Sequence, residues 1–274
     1  MEKYSVLMAV YCKETARNLE TAVKSMLEQT VSPDELVLVC DGLLTDELNS
    51  VIHKLDEKSP DTLKVVRLSE NIGLGRALQT GLKYASNELV ARMDSDDISC
   101  PDRCEKQLLF MQKHPDISIL GGTIAEFDDD PEKITAVRSA PESQEAILAF
   151  SRSRNPFNHV TVMYRKKDVL EAGGYLHMPY LEDYYLWIRM LMHGCRGHNL
   201  KDVLVNVRVG NGMTARRSGL HYARAQEKLF SYMLRNRYIN RAEYMKAVIT
   251  RTAVSLFPDK IRQLVYRYCL RSSS

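Results

Sequence analysis

Asp94-Ser95-Asp96-Asp97 places three carboxylates within four residues, immediately after the apolar run Glu88–Met93. Carboxylate oxygens are hard donors. An Asp-x-Asp pair at a strand end can aim two of them at one Mg2+ or Mn2+ ion that also takes phosphate oxygens from a substrate. The same residues would also serve as a solvated acidic turn before Pro101. Asp41 follows a second apolar run, Glu35–Cys40, and precedes Gly42. It reads either as a turn residue or as an acceptor for a nucleobase N–H. Tyr11 could stack on such a base or sit in the core. Arg76 opens a helical stretch after Asn71-Ile-Gly-Leu-Gly. A helix N-terminus and a guanidinium both favour a phosphate there. The Gly-x-Gly at 73–75 lacks the third glycine of a dinucleotide fingerprint. Glu182-Asp183 precedes an apolar helix. These acids either complement the helix macrodipole or supply a general base for a hydroxyl nucleophile.

The elements that would hold these residues follow from hydrophobic periodicity. Ser5–Tyr11, Glu35–Cys40, Leu63–Leu68 and Glu88–Met93 read as strands. Helical spacing marks Asn18–Gln29, a stretch capped by Thr45 and running to Asp56, and Gly75–Ala85. Four alternations of near-continuous apolar strands with helices predict an α/β fold, a parallel sheet covered on both faces. Ligands of such sheets bind at the carboxyl ends of the strands, where Asp41 and Asp94 both fall.

The second half is more mixed. Asp102–Lys113 and Leu181–Met192 read as helices. Ile117–Phe127 reads as a strand pair turning at Gly121-Gly122, and His159–Tyr164 and Val203–Val209 read as strands. From Ser218 the pattern is helical to the end, with a break at Pro258. The expected organisation is residues 1–215 as one catalytic domain, split near residue 100, and 216–274 as a helical extension.

Composition sets bounds. The 274 residues are 45% hydrophobic and 27% charged, ordinary values for a globular chain. Six cysteines, at 12, 40, 100, 104, 195 and 269, form no zinc-site spacing and read as reduced thiols. No segment reaches the roughly 20 apolar residues of a membrane-spanning helix, and Met1–Val10 does not read as a signal peptide. The net charge of +3 hides an asymmetry: residues 235–274 carry +7 and the remainder −4. The expected partner of that tail is an anionic membrane surface on the cytoplasmic side, not a nucleic acid.

Taken together, YSVLMAVYCKETARNLETAVKSMLEQT, VCDG, ENIGLGRALQTGL, ARMDSDDISCPDR, NPFNHVTVMYRK and LEDYYLWIRM occur in an order that resembles the family 2 glycosyltransferases. These are inverting enzymes with the GT-A nucleotide-sugar-binding fold. The likeness is strongest to bacterial ones that build O-antigen, capsule or exopolysaccharide units, and it spans residues 4–210. It implies Tyr11 and Asp41 on the base, Arg76 near the diphosphate, and Asp94 at the ribose and metal. It further implies Asp96 as the main Mn2+ or Mg2+ ligand and Asp183 as the base. Glu182, Asn158 and His159 would lie on the acceptor side. The implied substrates are a nucleotide sugar, with UDP favoured, and a lipid-diphosphate-linked saccharide. Cys40 replaces the first Asp of the family's usual Asp-Asp-Gly, and Tyr185 replaces the second Asp of its Glu-Asp-x-Asp. Two other classes compete: a nucleotidyltransferase, though Val10-Tyr-Cys-Lys-Glu-Thr lacks its glycine-rich loop, and a non-catalytic scaffold of the same fold. An Asp-nucleophile phosphatase would need its Asp-x-Asp early in the chain.

Overall fold

The computed structural model describes residues 2–209 and 219–256. The first half alternates as expected. β1 (Tyr4–Val10), α1 (Ala16–Leu27), β2 (Glu35–Cys40), α2 (Asp46–Lys58), β3 (Leu63–Arg67), α3 (Leu74–Tyr84) and β4 (Leu89–Asp94) follow one another. Thr45 caps α2, its side chain accepting from Leu48 N–H. The four strands run parallel in the order β3-β2-β1-β4. Side-chain alternation puts Val6, Met8 and Val10 of β1 into one apolar layer with α1 and α2. Leu7 goes into the opposite layer with α3. Both faces of the sheet are therefore dry, which is why its strands read as unbroken apolar runs.

β5 (Ile98–Ser99), α4 (Arg103–Lys113), β6 (Ile117–Phe127), β7 (Ile134–Arg138), α5 (Gln144–Ser151), β8 (Met163–Arg165), α6 (Lys166–Glu171), α7 (Glu182–Met192) and β9 (Arg196–Arg208) complete this part. The sheet continues from β4 through β8, β6 and β9 to β5, with β7 also on β6. Three readings from the sequence change here. Ile117–Phe127 is a single strand, not a turned pair. Its glycines serve close approach: a Cβ on Gly121 would lie 2.2 Å from Asn199 Oδ1, and one on Gly122 2.4 Å from Leu204 Cδ1. β9 starts at Arg196, well before Val203, and pairs with β6 through register shifts around Gly122. The segment His159–Tyr164 opens with a 3-10 turn (His159–Thr161) before β8. Thr161 Oγ1 bonds to Asn158 C=O at 2.8 Å and accepts from Gly122 N–H at 3.0 Å, holding that turn against β6.

Buried polar side chains lock the two halves of the sheet together. Arg103 donates to Arg92 C=O at 2.8 Å and to Gln107 Oε1 at 3.0 Å. Gln107 Nε2 donates to Leu120 C=O at 3.1 Å and Thr161 C=O at 2.8 Å. One turn of α4 thus grips β4, β6 and the 3-10 turn.

The C-terminal helices form a hairpin, α8 (Gly219–Arg235) and α9 (Arg241–Leu256). The helical run expected from Ser218 is broken at 236–240, ahead of Pro258, which lies outside the described residues. A capping box starts α9. Asn240 Oδ1 accepts from Glu243 N–H at 2.9 Å, and a Glu243 carboxylate oxygen accepts from Asn240 N–H at 2.8 Å. Leu229, Phe230 and Met233 of α8 and Ala247 of α9 bury against Tyr184 and Ile188 of α7. Arg152 pairs with Glu243 at 2.7 Å. The described cysteines, 12, 40, 100, 104 and 195, are free thiols. Among the described residues no helix is long and apolar enough to cross a membrane.

Gln107→Met keeps the side-chain volume but leaves two buried carbonyls and Arg103 Nε without their partner. It should cost about 3 kcal/mol in urea unfolding with an unchanged m-value. A change below about 0.5 kcal/mol would show that α4 does not hold the sheet this way.

Candidate active site

Parallel pairing brings the predicted donor-side residues to one rim. Val10 pairs with Cys40 and Ala9 with Asp94, so Tyr11, Asp41 and the acidic loop leave adjacent strands at their carboxyl ends. Tyr11 is 36% exposed at that rim. Asp41 is buried, and its carboxylate accepts from Ile72 N–H at 2.8 Å and Gly73 N–H at 3.1 Å. Asn71 Nδ2 donates to the Asp41 carbonyl at 3.1 Å. Asp41 therefore braces the loop that enters α3. Arg76, in the first turn of α3, is exposed, and no side chain caps that helix at Gly73. Cys40 points into the apolar layer with α1 and α2.

Carboxylate oxygens of Asp94, Asp96 and Asp97 all lie within 4.8 Å of one another. Burial and the neighbouring charges of Asp94 and Glu14 push the Asp96 carboxyl up to about 7. Burial and Asp94 push Asp97 well above the usual carboxylate range as well. Asp97 also accepts from Arg208 N–H of β9 at 2.8 Å. The cluster is thus short of positive charge, and its donors are all hard oxygens. That fits one divalent cation.

Beneath the cluster lies a residue that sequence reasoning missed. Arg92 is fully buried, and its Nη2 sits 2.5 Å from Asp94 Oδ1. Burial alone would lower its pKa, yet Asp94 raises it on balance, so the guanidinium stays charged. An arginine two residues before an aspartate on one strand shares its face. That alternation was the available signal. His159 lies beside it, with Nε2 3.1 Å from Tyr175 Oη. Burial and the Arg92 charge hold its imidazole neutral.

Glu182 and Asp183 open α7. Glu182 lies against α3: a Cβ on Gly75 would lie 2.6 Å from Glu182 Cγ. Glu182 thus faces the helix that carries Arg76. Burial raises Glu182 to about 7, partly offset by backbone N–H groups that include that of Tyr180. Asp183 Oδ2 accepts from Asn155 Nδ2 at 2.6 Å. The NPFNHV segment therefore reaches Asp183 through Asn155. Asn158 instead turns inward, donating to Gly122 C=O at 2.9 Å and to Arg138 C=O at 3.3 Å. Tyr185 packs away from the cleft, edge-on to Tyr232 of α8 at 4.9 Å.

A curled mixed sheet with an acidic cluster at its carboxyl rim is the fold of GT-A glycosyltransferases. A solved mannosyltransferase from Pyrobaculum calidifontis, in complex with GDP-Man and Mn2+, superposes with a TM-score of 0.66 at 18% identity. It covers 100% of this chain and 76% of its own. The chain belongs to glycosyl transferase family 2, whose pattern matches residues 5–174. It is 38% identical over 269 residues to the Escherichia coli UDP-Gal:alpha-D-GlcNAc-diphosphoundecaprenol beta-1,3-galactosyltransferase, spanning 98% of this chain and 97% of that one. It is equally 38% identical over 263 residues to the amylovoran biosynthesis glycosyltransferase AmsE of Erwinia amylovora, spanning 96% and 97%.

The raised pKa of Glu182 has a consequence for stability. Its folded value of about 7 exceeds the ordinary glutamate value of 4.5, so the folded state binds the proton more tightly. Wild-type stability should then fall as pH rises from about 4.5 to 7 through this group. Glu182→Gln removes the ionisation. The variant should melt like wild type near pH 4 and progressively above it toward pH 8, in thermal scans at fixed ionic strength. An offset independent of pH would place Glu182 in a solvated environment.

Proposed function

We propose that this enzyme transfers a hexose from a UDP-linked donor, with inversion, to a hydroxyl of a lipid-diphosphate-linked sugar in surface-polysaccharide assembly. The observation that carries the reading is the convergence of two acidic groups near one buried tyrosine. Asp94, of the Asp94-Asp96-Asp97 cluster, and Asp183 both act electrostatically on Tyr175, and Glu182 lies against α3. The donor chemistry draws on the relative that uses UDP-Gal, and the acceptor class on that relative's lipid-linked GlcNAc substrate.

In this reading Tyr11 and the loop braced by Asp41 receive the base, and Arg76 with the α3 N-terminus receives the diphosphate. Asp96 and Asp94 would hold Mn2+ or Mg2+, which when bound supplies positive charge to the departing diphosphate. Asp94 also meets the ribose. Asp183, oriented by Asn155, takes the proton from the acceptor hydroxyl. That oxygen bonds to the anomeric carbon as the carbon–oxygen bond to the diphosphate breaks, and the electron pair leaves with UDP. Attack from the opposite side turns an α-linked donor into a β-linked product. Glu182, beside α3, and His159, with its neutral imidazole, line the acceptor side. Asn158 holds β6 and β7 behind them. Residues 1–215 form the catalytic unit in this reading, and 216–274 the extension.

Asp183→Asn should leave UDP affinity nearly intact while transfer from UDP-galactose falls by about two orders of magnitude or more, the contribution of a positioned general base. Lost UDP affinity with a retained rate would assign Asp183 to the donor side. A nucleotidyltransferase would release pyrophosphate from a nucleoside triphosphate and sugar phosphate, and a scaffold would turn over nothing. Mn2+ should raise the melting temperature of wild type but not of Asp96→Ala, because binding to the folded state alone stabilises it. Equal shifts in both would move the ion elsewhere.

We further infer that the C-terminal region docks on an anionic membrane. Packing uses one side of the hairpin, while Met245 (53% exposed) and Ile249 (60%) of α9 face outward with Arg241 and Lys246. The basic and apolar residues 257–274 lie outside the described residues. Full-length protein should sediment with phosphatidylglycerol vesicles at low salt and be released at high salt. A chain ending at Leu256, which keeps the hairpin and its packing on α7, should sediment less. Equal sedimentation of both would confine the contact to residues up to Leu256, such as the outward face of α9, and none at either salt would remove it.

A further inference from the structure

The segment entering α7 holds a side chain in a conformation that its residue type disfavours. Met178-Pro179-Tyr180-Leu181 forms a tight turn, closed by Leu181 N–H to Met178 C=O at 2.9 Å. Proline stands second, and the third residue has φ +68. That is the type II arrangement, whose third position ordinarily takes glycine or asparagine because a Cβ there crowds the backbone. Here it is tyrosine. Among the described residues only Arg237 shares a positive φ without being glycine. A bulky residue held at such a φ, two positions before a catalytic-segment carboxylate, points to use of its side chain.

The surroundings make the ring a fixed object. Met178 and Leu181, on either side, are 3% and 6% exposed and bury against α8, anchoring both ends of the turn. Tyr222 of α8 meets the Tyr180 ring edge-on, with centroids 5.8 Å apart and planes at 74°. Tyr180 nonetheless stays 52% exposed, and Leu176 nearby is 43% exposed. The same segment lies over the start of α3, since the Leu176 carbonyl would be 3.8 Å from a Cβ on Gly75. An aromatic face is therefore held beside Glu182, whose carboxylate takes the Tyr180 N–H, at the start of the helix that carries Asp183. A pyranose has an apolar face of C–H groups that suits the negative face of an aromatic ring.

We propose that Tyr180 is the stacking platform for the acceptor sugar, oriented by its left-handed turn and by Tyr222. This rests on the reading of Asp183 as the base that deprotonates the acceptor. The ring sets which pyranose face, and hence which hydroxyl, is offered to Asp183. A rigid ring loses little freedom on binding, so such a contact is effective for its size.

Kinetics with UDP-galactose and an alkyl-diphosphate-GlcNAc acceptor test it. Tyr180→Ala removes the ring and keeps a Cβ in the turn, whereas Tyr180→Gly removes the ring and suits the turn. Both should raise acceptor KM about fivefold to tenfold, the factor expected from losing one aromatic contact. Donor KM and acceptor-free donor hydrolysis should stay unchanged, and Tyr180→Phe should remain within about twofold of wild type. Tyr180→Gly should also melt above Tyr180→Ala. Several outcomes overturn the proposal. A glycine variant with wild-type acceptor KM beside an impaired alanine variant would leave only a backbone role. A matching fall in donor hydrolysis would move the residue to the donor side. Unchanged acceptor KM in both variants would sink the platform while leaving the Asp183 reading intact. Wild-type enzyme that hydrolyses UDP-galactose but does not modify this acceptor would instead overturn the acceptor class, and the platform with it.

Discussion

Mutual repulsion of carboxylates at the end of β4 is the constraint around which the site is organised. Unit negative charges held within 4.8 Å repel by on the order of 3 kcal/mol each at an effective dielectric of about 20. A buried cluster of this kind persists only where the surrounding structure compensates it. Arg92 supplies a charge from below, and Arg208 N–H holds Asp97 from β9. Arg103 grips the Arg92 carbonyl, so the strand that presents both Arg92 and Asp94 is fixed from α4. The residual deficit of positive charge is what makes a divalent cation a fitting occupant. The acidity shifts of Asp96 and Asp97 are the local sign of that deficit.

The opposite wall follows a different logic. α7 presents its acids at its first turn, where the helix dipole favours them, and spends the rest of its length on packing. Its inner face joins the layer with α3 through Leu186, Trp187 and Met190. Tyr184 and Ile188 take the hairpin of α8 and α9. The position occupied by Tyr185 illustrates the division. Where relatives are expected to carry a second acid, this chain places an aromatic ring against Tyr232. The side chain at this position contacts the C-terminal helices instead.

The first half of the fold was legible because its forces are local. Apolar runs of strand length, a Thr45 cap and helical spacing gave β1 to β4 in the right places, and the sheet's carboxyl rim then followed from topology. The second half was less so, because its shape is set by contacts distant in sequence. Gly121 and Gly122 look like a turn until Asn199 and Leu204 are seen to need the space. Asn158 reads from the sequence as an acceptor-side residue, and its amide is bonded to Gly122 C=O and Arg138 C=O, contacts that no local pattern announces. The amide that reaches Asp183 belongs to Asn155, three residues earlier, and nothing in the local pattern separates the two. The positive φ of Tyr180 was likewise invisible, since its residue type argues against it.

Pairing of β6 with β9 also governs when the site can come into being. Asp97 and its backbone partner at Arg208 are separated by 111 residues. A chain emerging from the ribosome could assemble β1 to β4 early, for all four strands end by Asp94. The acidic loop would then wait, unbraced, until synthesis had passed residue 208. Its repulsion is strong in the native state and weak in the early intermediate, where water separates and screens the charges. The cost of gathering them is therefore met late in folding. Loss of β9 would accordingly unbrace the acidic loop even where the pairings of β1 to β4 persist.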